Sequence, residues 1–132
     1  MKRFSSPVFE SARQNLFQYM NAYCGLTMEE FGKLLDHCSF RTIEKKEFLI
    51  KPGEVDVYFN YIIEGVARKF IRVGNKEITL QLSTEGHFIH AEHSFHTGMP
   101  ADCYVEAIEK TSFISIRKSE VETLFEEIPV LN

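Results

Sequence analysis

The run 57-VYFNYIIEGVARKFIRVGNKEITLQL-82 decides the fold class of this chain. Dense segments of β-branched and aromatic residues lie on either side of Glu64-Gly65. The second of them ends at Gly74-Asn75, a pair of residues typical of a tight hairpin turn. Beyond this turn, polar and apolar residues alternate strictly from Glu77 to Leu82, which predicts a further strand. We therefore predict three consecutive strands in this run.

Short segments of the same character flank this run on both sides. They cover residues 40–43 and 48–50 before it, and residues 104–108 and 113–116 after it. Several short strands at close spacing are typical of a β-sandwich or a jelly-roll-like barrel. We predict a mainly β fold of this kind with flanking helices.

Helical patterns occupy the two ends of the chain. Between Val8 and Cys24 the apolar residues recur at helical spacings, and Gly25 stands where this helix should stop. The sequence 27-TMEE-30 is a capping box, and it predicts the start of a second amphipathic helix whose apolar positions reach Cys38. The sequence 119-SEVE-122 is a second capping box, and it predicts the start of the last helix.

The composition fits one globular domain. The chain has 132 residues, of which 44% are hydrophobic and 26% are charged. Its 15 Lys and Arg against 19 Asp and Glu give a net charge of -4, whereas a surface that binds a nucleic-acid backbone is basic. We therefore expect no specific DNA binding by this chain alone. The three cysteines form no CxxC pair, so neither a zinc knuckle nor a thioredoxin-type site is encoded.

No segment indicates a membrane or an exported location. The apolar runs are only a few residues long, whereas a membrane-spanning helix needs about 20 apolar residues. The basic segment Met1–Pro7 is followed by no apolar stretch of the kind found in signal peptides. We expect a cytoplasmic protein.

Two charged positions have ordinary structural interpretations. His37 lies at the end of the second predicted helix, where a positive charge suits the helix dipole. Lys69 lies with Arg68 and Arg72 among interspersed acidic residues, a pattern that indicates a solvated strand face. Neither residue is predicted to bind a ligand.

The order of these elements, together with several local motifs, resembles the cyclic nucleotide-binding domain. The matching motifs are Pro52-Gly53-Glu54, the stretch Tyr61–Arg68, the segment Gly86–Ile89 that opens a polar stretch, and the final Leu124–Pro129. More narrowly, the chain resembles the sensor half of bacterial Crp/Fnr-type transcription regulators. This resemblance implies a double-stranded β-helix, which is a jelly-roll-like fold.

The resemblance also implies a domain layout. Residues 1–26 would be a helical lead, and residues 27–132 would form the β-roll domain with its flanking helices. The family's C-terminal dimerisation helix and DNA-binding domain would follow Asn132 and are absent from this sequence. We therefore expect a sensor domain that is not an enzyme, that responds to an unidentified small-molecule effector, and that reaches DNA only through the missing domain. In a full-length context we expect a homodimer without membrane contact.

The resemblance further implies that the family's nucleotide site is degenerate here. In the family, a loop and short helix between two strands cradle the cyclic phosphate, an Arg grips its oxygens and a Glu binds the ribose. Aligned without gaps, the family's Gly position is His90, its Glu position is Ala91 and its Arg position is Ala101. Asp102 replaces a small hydroxyl residue and would place a carboxylate near the phosphate. Charge-assisted hydrogen bonds contribute roughly 1.5–3 kcal/mol each, so their loss disfavours cyclic nucleotide as a cofactor.

If a ligand does bind, the resemblance places its pocket between a strand and this same segment. The residues expected to line it are Leu80, Gln81, His90, Ala91, Glu92, Ala101, Asp102 and Cys103. Glu92 lies one residue beyond the family's Glu position, so a shift of register by one residue could return a carboxylate to the site.

A histidine cluster supports an alternative function. His87, His90, His93 and His96 recur at every third position, and Glu92 lies four residues before His96. Imidazole and carboxylate groups at that spacing on a helix can share a metal ion, as a cupin-like β-barrel metal-binding protein or enzyme would require. Metal sites need three or four converging ligands, whereas this spacing brings together two. We therefore favour a polar segment without a metal.

Overall fold

Eight strands form the framework of the protein between residues 7 and 131, the part of the chain that the computed structural model describes. The strands are β1 (Cys38–Ile43), β2 (Phe48–Ile50), β3 (Tyr58–Glu64), β4 (Val66–Val73), β5 (Lys76–Thr84), β6 (Phe88–Ile89), β7 (Tyr104–Ala107) and β8 (Thr111–Arg117). The helices are α1 (Pro7–Cys24), α2 (Met28–Asp36), α3 (Glu92–Thr97) and α4 (Lys118–Glu127), followed by a 3-10 turn at Pro129–Leu131. Residues 1–6, in which we predicted no signal peptide, and Asn132 lie outside the described residues.

The strands form two antiparallel sheets of four strands each. The first sheet has the order β1-β8-β3-β6, and the second has the order β2-β7-β4-β5. The predicted hairpin joins β4 to β5, with Val73 opposite Lys76 across Gly74-Asn75. Two antiparallel sheets with flanking helices confirm the predicted jelly-roll-like fold class.

The first sheet separates two apolar cores. Ile62 of β3 and Phe113 of β8 are fully buried in the core between the two sheets. Their chain neighbours Ile63 and Ile114 lie in a second core on the other face, where they pack with Phe31 of α2. Successive side chains of a strand point to opposite faces, so β3 and β8 contribute to both cores.

Helices α1, α2 and α4 cover the outer face of the first sheet. α1 contributes Phe9, Ala12 and Leu16 to the same core as Leu124 of α4, so the helical lead packs against the β-roll. Gly25 ends α1 with a φ of +65°, the left-handed conformation that glycine adopts at no steric cost. α1 has 18 residues, and no helix in the described part of the chain is long and apolar enough to cross a membrane.

Two helix boundaries differ from the sequence predictions. α2 ends at Asp36, and Cys38 belongs to β1 instead of extending the helix. α4 begins at Lys118 directly after β8, so its N-cap is Arg117, which makes no side-chain capping hydrogen bond. The capping box predicted at Ser119 is therefore wrong, because Ser119 already lies inside the helix.

Candidate functional site

A pocket of about 170 Å³ opens between the second sheet and α3. β4 and β5 supply one wall, α3 and its N-cap residue supply another, and the segment that leads into β7 supplies the rest. The lining residues are Lys69, Leu80, Ala91, Glu92, His93, Ser94, Ala101, Asp102 and Cys103.

Asp56 holds the α3 wall in place. Its buried carboxylate accepts hydrogen bonds from the backbone N–H of Ala91 at 2.7 Å and of Tyr58 at 3.1 Å. In return, the backbone N–H of Asp56 donates to Oγ of the buried Ser94 at 2.8 Å. Asp56 therefore ties the start of α3 to the start of β3. Sequence reasoning missed this role, because a single Asp before a strand carries no distinctive pattern.

The turn at Pro52-Gly53-Glu54 positions the opposite wall. The backbone N–H of Gly53 donates to the carbonyl of Ala101 at 2.9 Å, and the N–H of Ala101 donates to the carbonyl of Glu54 at 2.7 Å. Gly53 has a φ of +94°, which a residue with a side chain adopts only under strain. The turn motif that carried the resemblance thus fixes a residue of the pocket wall.

Lys69 points into the pocket, so the solvated strand face predicted for it is wrong. Its side chain is 9% exposed, and its Nζ lies 3.2 Å from Oε1 of Glu92, whose side chain is 67% exposed. The hydrogen bond from Lys69 lowers the pKa of the Glu92 carboxyl. The buried cation is therefore already neutralised from within the chain.

The charged groups of the pocket give it a net negative formal charge. Lys69 contributes one positive charge, and Glu92 and Asp102 contribute two negative charges, which leaves a formal charge of -1. Burial raises the pKa of the Cys103 thiol, so this group adds no positive or negative charge at neutral pH. A cyclic phosphodiester would meet Asp102 and an ammonium that already has a partner. The volume of 170 Å³ also lies below the roughly 300–1,000 Å³ of pockets that enclose drug-sized ligands.

Six of the eight residues predicted to bind a ligand line this pocket together. They are Leu80, Ala91, Glu92, Ala101, Asp102 and Cys103. Gln81 does not line it, because its Nε2 donates to Ser83 Oγ at 2.7 Å and to the carbonyl of Phe88 at 2.8 Å. That any of these residues contacts an effector stays a prediction.

His90, the other predicted residue outside this pocket, packs among aromatic rings. Its ring centroid lies 4.6 Å from that of Phe59 and 5.3 Å from that of Phe95. The residue is 8% exposed, its Nε2 has no hydrogen-bond partner, and burial lowers its pKa. The side chain therefore behaves as a neutral aromatic group of the core.

The histidine cluster does not converge on one point. The rings of His90 and His96 have centroids 6.0 Å apart, while Nδ1 of His87 accepts the backbone N–H of Thr84 at 3.0 Å. His93 lines the pocket wall. Among residues 7–131, no group of three or more His, Cys, Asp or Glu side chains is arranged to hold a metal ion. This geometry gives the cupin-like alternative no support.

A family model for the cyclic nucleotide-binding domain matches residues 40–128 of the chain. The matched part runs from β1 to the end of α4 and contains the whole pocket. A comparison with curated protein sequences found no match.

The fold is similar to those of several solved structures. A cyclic nucleotide-binding domain from Methylobacillus flagellatus has a TM-score of 0.78 at 19% identity, over 91% of this chain and 69% of that chain. The sensor domain of the transcriptional regulator DNR from Pseudomonas aeruginosa has a TM-score of 0.74 at 16% identity, over 93% and 83% of the two chains. The catabolite activator protein of Thermus thermophilus has a TM-score of 0.72 at 21% identity, over 80% of this chain. The present chain spans 50% of the length of that protein.

Proposed function

We propose that this chain, which belongs to the cyclic nucleotide-binding domain family, is the effector-sensing domain of a transcription regulator similar to the Crp/Fnr type. The observation that supports the proposal is the pocket beside α3, where six residues from the predicted ligand site meet around a buried lysine. The structures of similar fold include a sensor domain of a transcriptional regulator and a catabolite activator protein.

The proposed role is sensing without catalysis. The pocket contains one thiol, Cys103, and burial raises its pKa. A nucleophilic cysteine needs the opposite shift, because the thiolate is the reactive form. Such a domain acts by binding an effector and passing the change on to the rest of a regulator, and we expect that regulator to work in the cytoplasm.

The effector that we propose is smaller than a cyclic nucleotide and is not an anion. Ala91 and Ala101 stand where the family resemblance calls for a Glu and an Arg, and Lys69 is held by Glu92 at 3.2 Å. The formal charge of the pocket favours a neutral or cationic molecule. Without the Glu and the Arg, and with Lys69 already paired, the pocket lacks the charged contacts that would bind a cyclic phosphodiester in preference to water.

Thermal unfolding with cyclic AMP and cyclic GMP tests the loss of nucleotide binding. We expect neither nucleotide to stabilise the natural chain. The triple variant Ala91→Glu, Ala101→Arg, Asp102→Ser restores the groups that the resemblance calls for. If this variant binds a nucleotide, a concentration of a hundred times the Kd should stabilise it by about 2.7 kcal/mol. The single variant Asp102→Ser is the control, since it removes the carboxylate without adding a cation. Stabilisation of the natural chain by either nucleotide would refute the degenerate site.

DNA contact and stable pairing would belong to other parts of the full-length regulator. The net charge of -4 disfavours a direct role of this domain on DNA. We expect no electrophoretic shift of operator-like DNA by this chain at physiological salt, and monomers or weak dimers in sedimentation. A specific shift at that salt concentration would contradict this division of roles.

A further inference from the structure

A second and larger cavity lies on the other side of the first sheet. It has a volume of about 220 Å³ and is bounded by α1 and α2 on one side and by β3, β6 and β8 on the other. The residues that define it best are Leu16, Met20, Phe59, Phe88, Ile114 and Ile116. It shares no lining residue with the pocket beside α3, so what it binds can be argued independently of the proposed function.

The wall of this cavity is almost entirely carbon, and no ionised side chain lines it. Its thiol, Cys38, donates to the carbonyl of Leu34 at 3.3 Å, and burial raises the pKa of Cys38 to about 12. A charged ligand would therefore lose its hydration without gaining a partner. Water gains little here as well, because the apolar lining offers it few hydrogen-bond partners.

Aromatic rings form one side of the cavity, grouped around Phe88. The ring of Phe59 is stacked on Phe88 with centroids 4.9 Å apart, and the rings of Tyr61 and Tyr19 follow at 5.0 Å and 5.4 Å. Aromatic pairs at such distances attract through stacked or edge-to-face contacts, so this surface favours another aromatic ring over a flexible chain. Tyr19 is 48% exposed, so the aromatic side of the cavity reaches the surface of the protein.

We propose that this cavity binds an uncharged aromatic molecule of one or two fused rings. An engineered protein cavity of about 150 Å³ lined by Leu, Ile and Phe stays dry and binds benzene, so 220 Å³ of similar lining accommodates one ring with room for a second. Binding restores dispersion contacts that the lining side chains lack on their open side.

Titration of the full chain with indole and with toluene, followed by methyl NMR, tests the proposal. We expect saturable shifts at the Met20 and Ile116 methyl groups, which line the cavity, and none at Ile50, which lies in the core between the sheets. Benzoate, which has the ring but carries a charge, is the matched control and should produce no saturable shift. Absence of saturation with both neutral probes, or equal shifts at Ile50, would overturn the proposal.

A cavity-filling variant provides the second arm of the test. Ile116→Phe adds ring atoms to the cavity and should weaken indole binding by about tenfold or more. Ile71→Phe adds the same atoms at a partly buried position of the other core and should leave the indole affinity unchanged. If Ile116→Phe does not fold, Met20→Phe on α1 fills the same space and takes its place. If the folded cavity-filling variant binds indole with the same affinity as the natural chain, the assignment is refuted.

Discussion

At the scale of single residues, Lys69 and Glu92 form an ion pair with two unequal ends. The side chain of Lys69 is 9% exposed, whereas the side chain of Glu92 is 67% exposed. A buried charge without a partner is costly, while an exposed charge without a partner is rehydrated. Removing one partner is therefore not equivalent to removing the other.

We predict unequal stability effects for two methionine variants of this pair. Glu92→Met leaves the Lys69 ammonium buried without its carboxylate and should cost about 1–3 kcal/mol of unfolding free energy. Lys69→Met returns Glu92 to water and should leave stability within about 0.5 kcal/mol of the natural value, or raise it. Urea unfolding measures both changes, and the double variant should behave like Lys69→Met. Equal losses for the two single variants would show that the pair is not asymmetric.

The inward position of Lys69 could have been predicted from the neighbouring residues of its strand. Ala67 and Ile71 pack in the core between the sheets, and Lys69 lies between them at the two-residue period of a strand. Arg68 and Arg72 occupy the alternate positions, where Arg68 pairs with Glu77. The prediction of a solvated face was wrong for Lys69 because it used the interspersed charges and left out this alternation. The identity of the partner was not predictable, since Glu92 is distant in sequence and lies on another element.

At the scale of elements, α2 is held by polar contacts at both ends. Thr27 Oγ1 accepts the backbone N–H of Glu30 at 3.1 Å, and Glu30 Oε1 accepts the N–H of Thr27 at 3.0 Å, which confirms the predicted capping box. His37 is the C-cap of the helix, and its ring nitrogens lie 2.7 Å from Glu120 and 3.3 Å from Glu127 on α4. The first contact set is local, whereas the second joins two helices that are distant in sequence.

Substitutions in the two capping boxes predicted from the sequence should have different effects on stability, because only the first box forms in the structure. Thr27→Ala removes the side-chain acceptor of a real N-cap and should cost about 1 kcal/mol. Ser119→Ala changes a residue inside α4 and should stay within about 0.5 kcal/mol of the natural stability. Chemical denaturation of both variants makes the comparison. A cost at Ser119 that matches the cost at Thr27 would mean that α4 begins later than described.

The His37 contacts predict a pH-dependent link between α2 and α4. The hydrogen bond to Glu120, with a smaller contribution from Glu127, raises the pKa of His37 above its ordinary 6.5. Because the folded value is the higher one, the stabilisation is fully present below pH 6.5 and is lost as the pH rises through the raised pKa.

The stability difference between the natural chain and His37→Gln should therefore be constant below pH 6.5 and shrink as the pH rises above it. It should not exceed about 1 kcal/mol, because both carboxylates are more than two-fifths exposed, at 42% and 43%. Urea unfolding at a series of pH values measures this difference. The contributions of the other histidines to the pH dependence cancel, because both proteins contain them. Glu120→Gln is the control and should remove most of the pH dependence. A difference that grows with pH would contradict the assigned direction.

At the scale of the whole molecule, alternation and turn residues were sufficient for the β framework and for the hairpin at Gly74-Asn75. They could not reveal β6, since two residues carry no period and its pairing with Asn60 and Tyr61 is long-range. The pocket wall was predictable only through the family resemblance, which supplied six lining residues. Asp56, which connects α3 to β3, follows from tertiary hydrogen bonds and has no local signature.

The shared strands predict that both cores unfold together. Ile62 and Ile63 are adjacent on β3 and fully buried, at 0% and 2% exposure, yet they point into different cores. Each change to Val removes one methylene and should cost about 0.5–1.5 kcal/mol. Far-ultraviolet circular dichroism follows the whole backbone. Tyrosine fluorescence follows side chains, among them Tyr61 in the core between the first sheet and the helices. In both variants the two signals should give one coincident transition, shifted to lower denaturant. If Ile63→Val split the two signals into separate transitions, the two cores would be separate folding units.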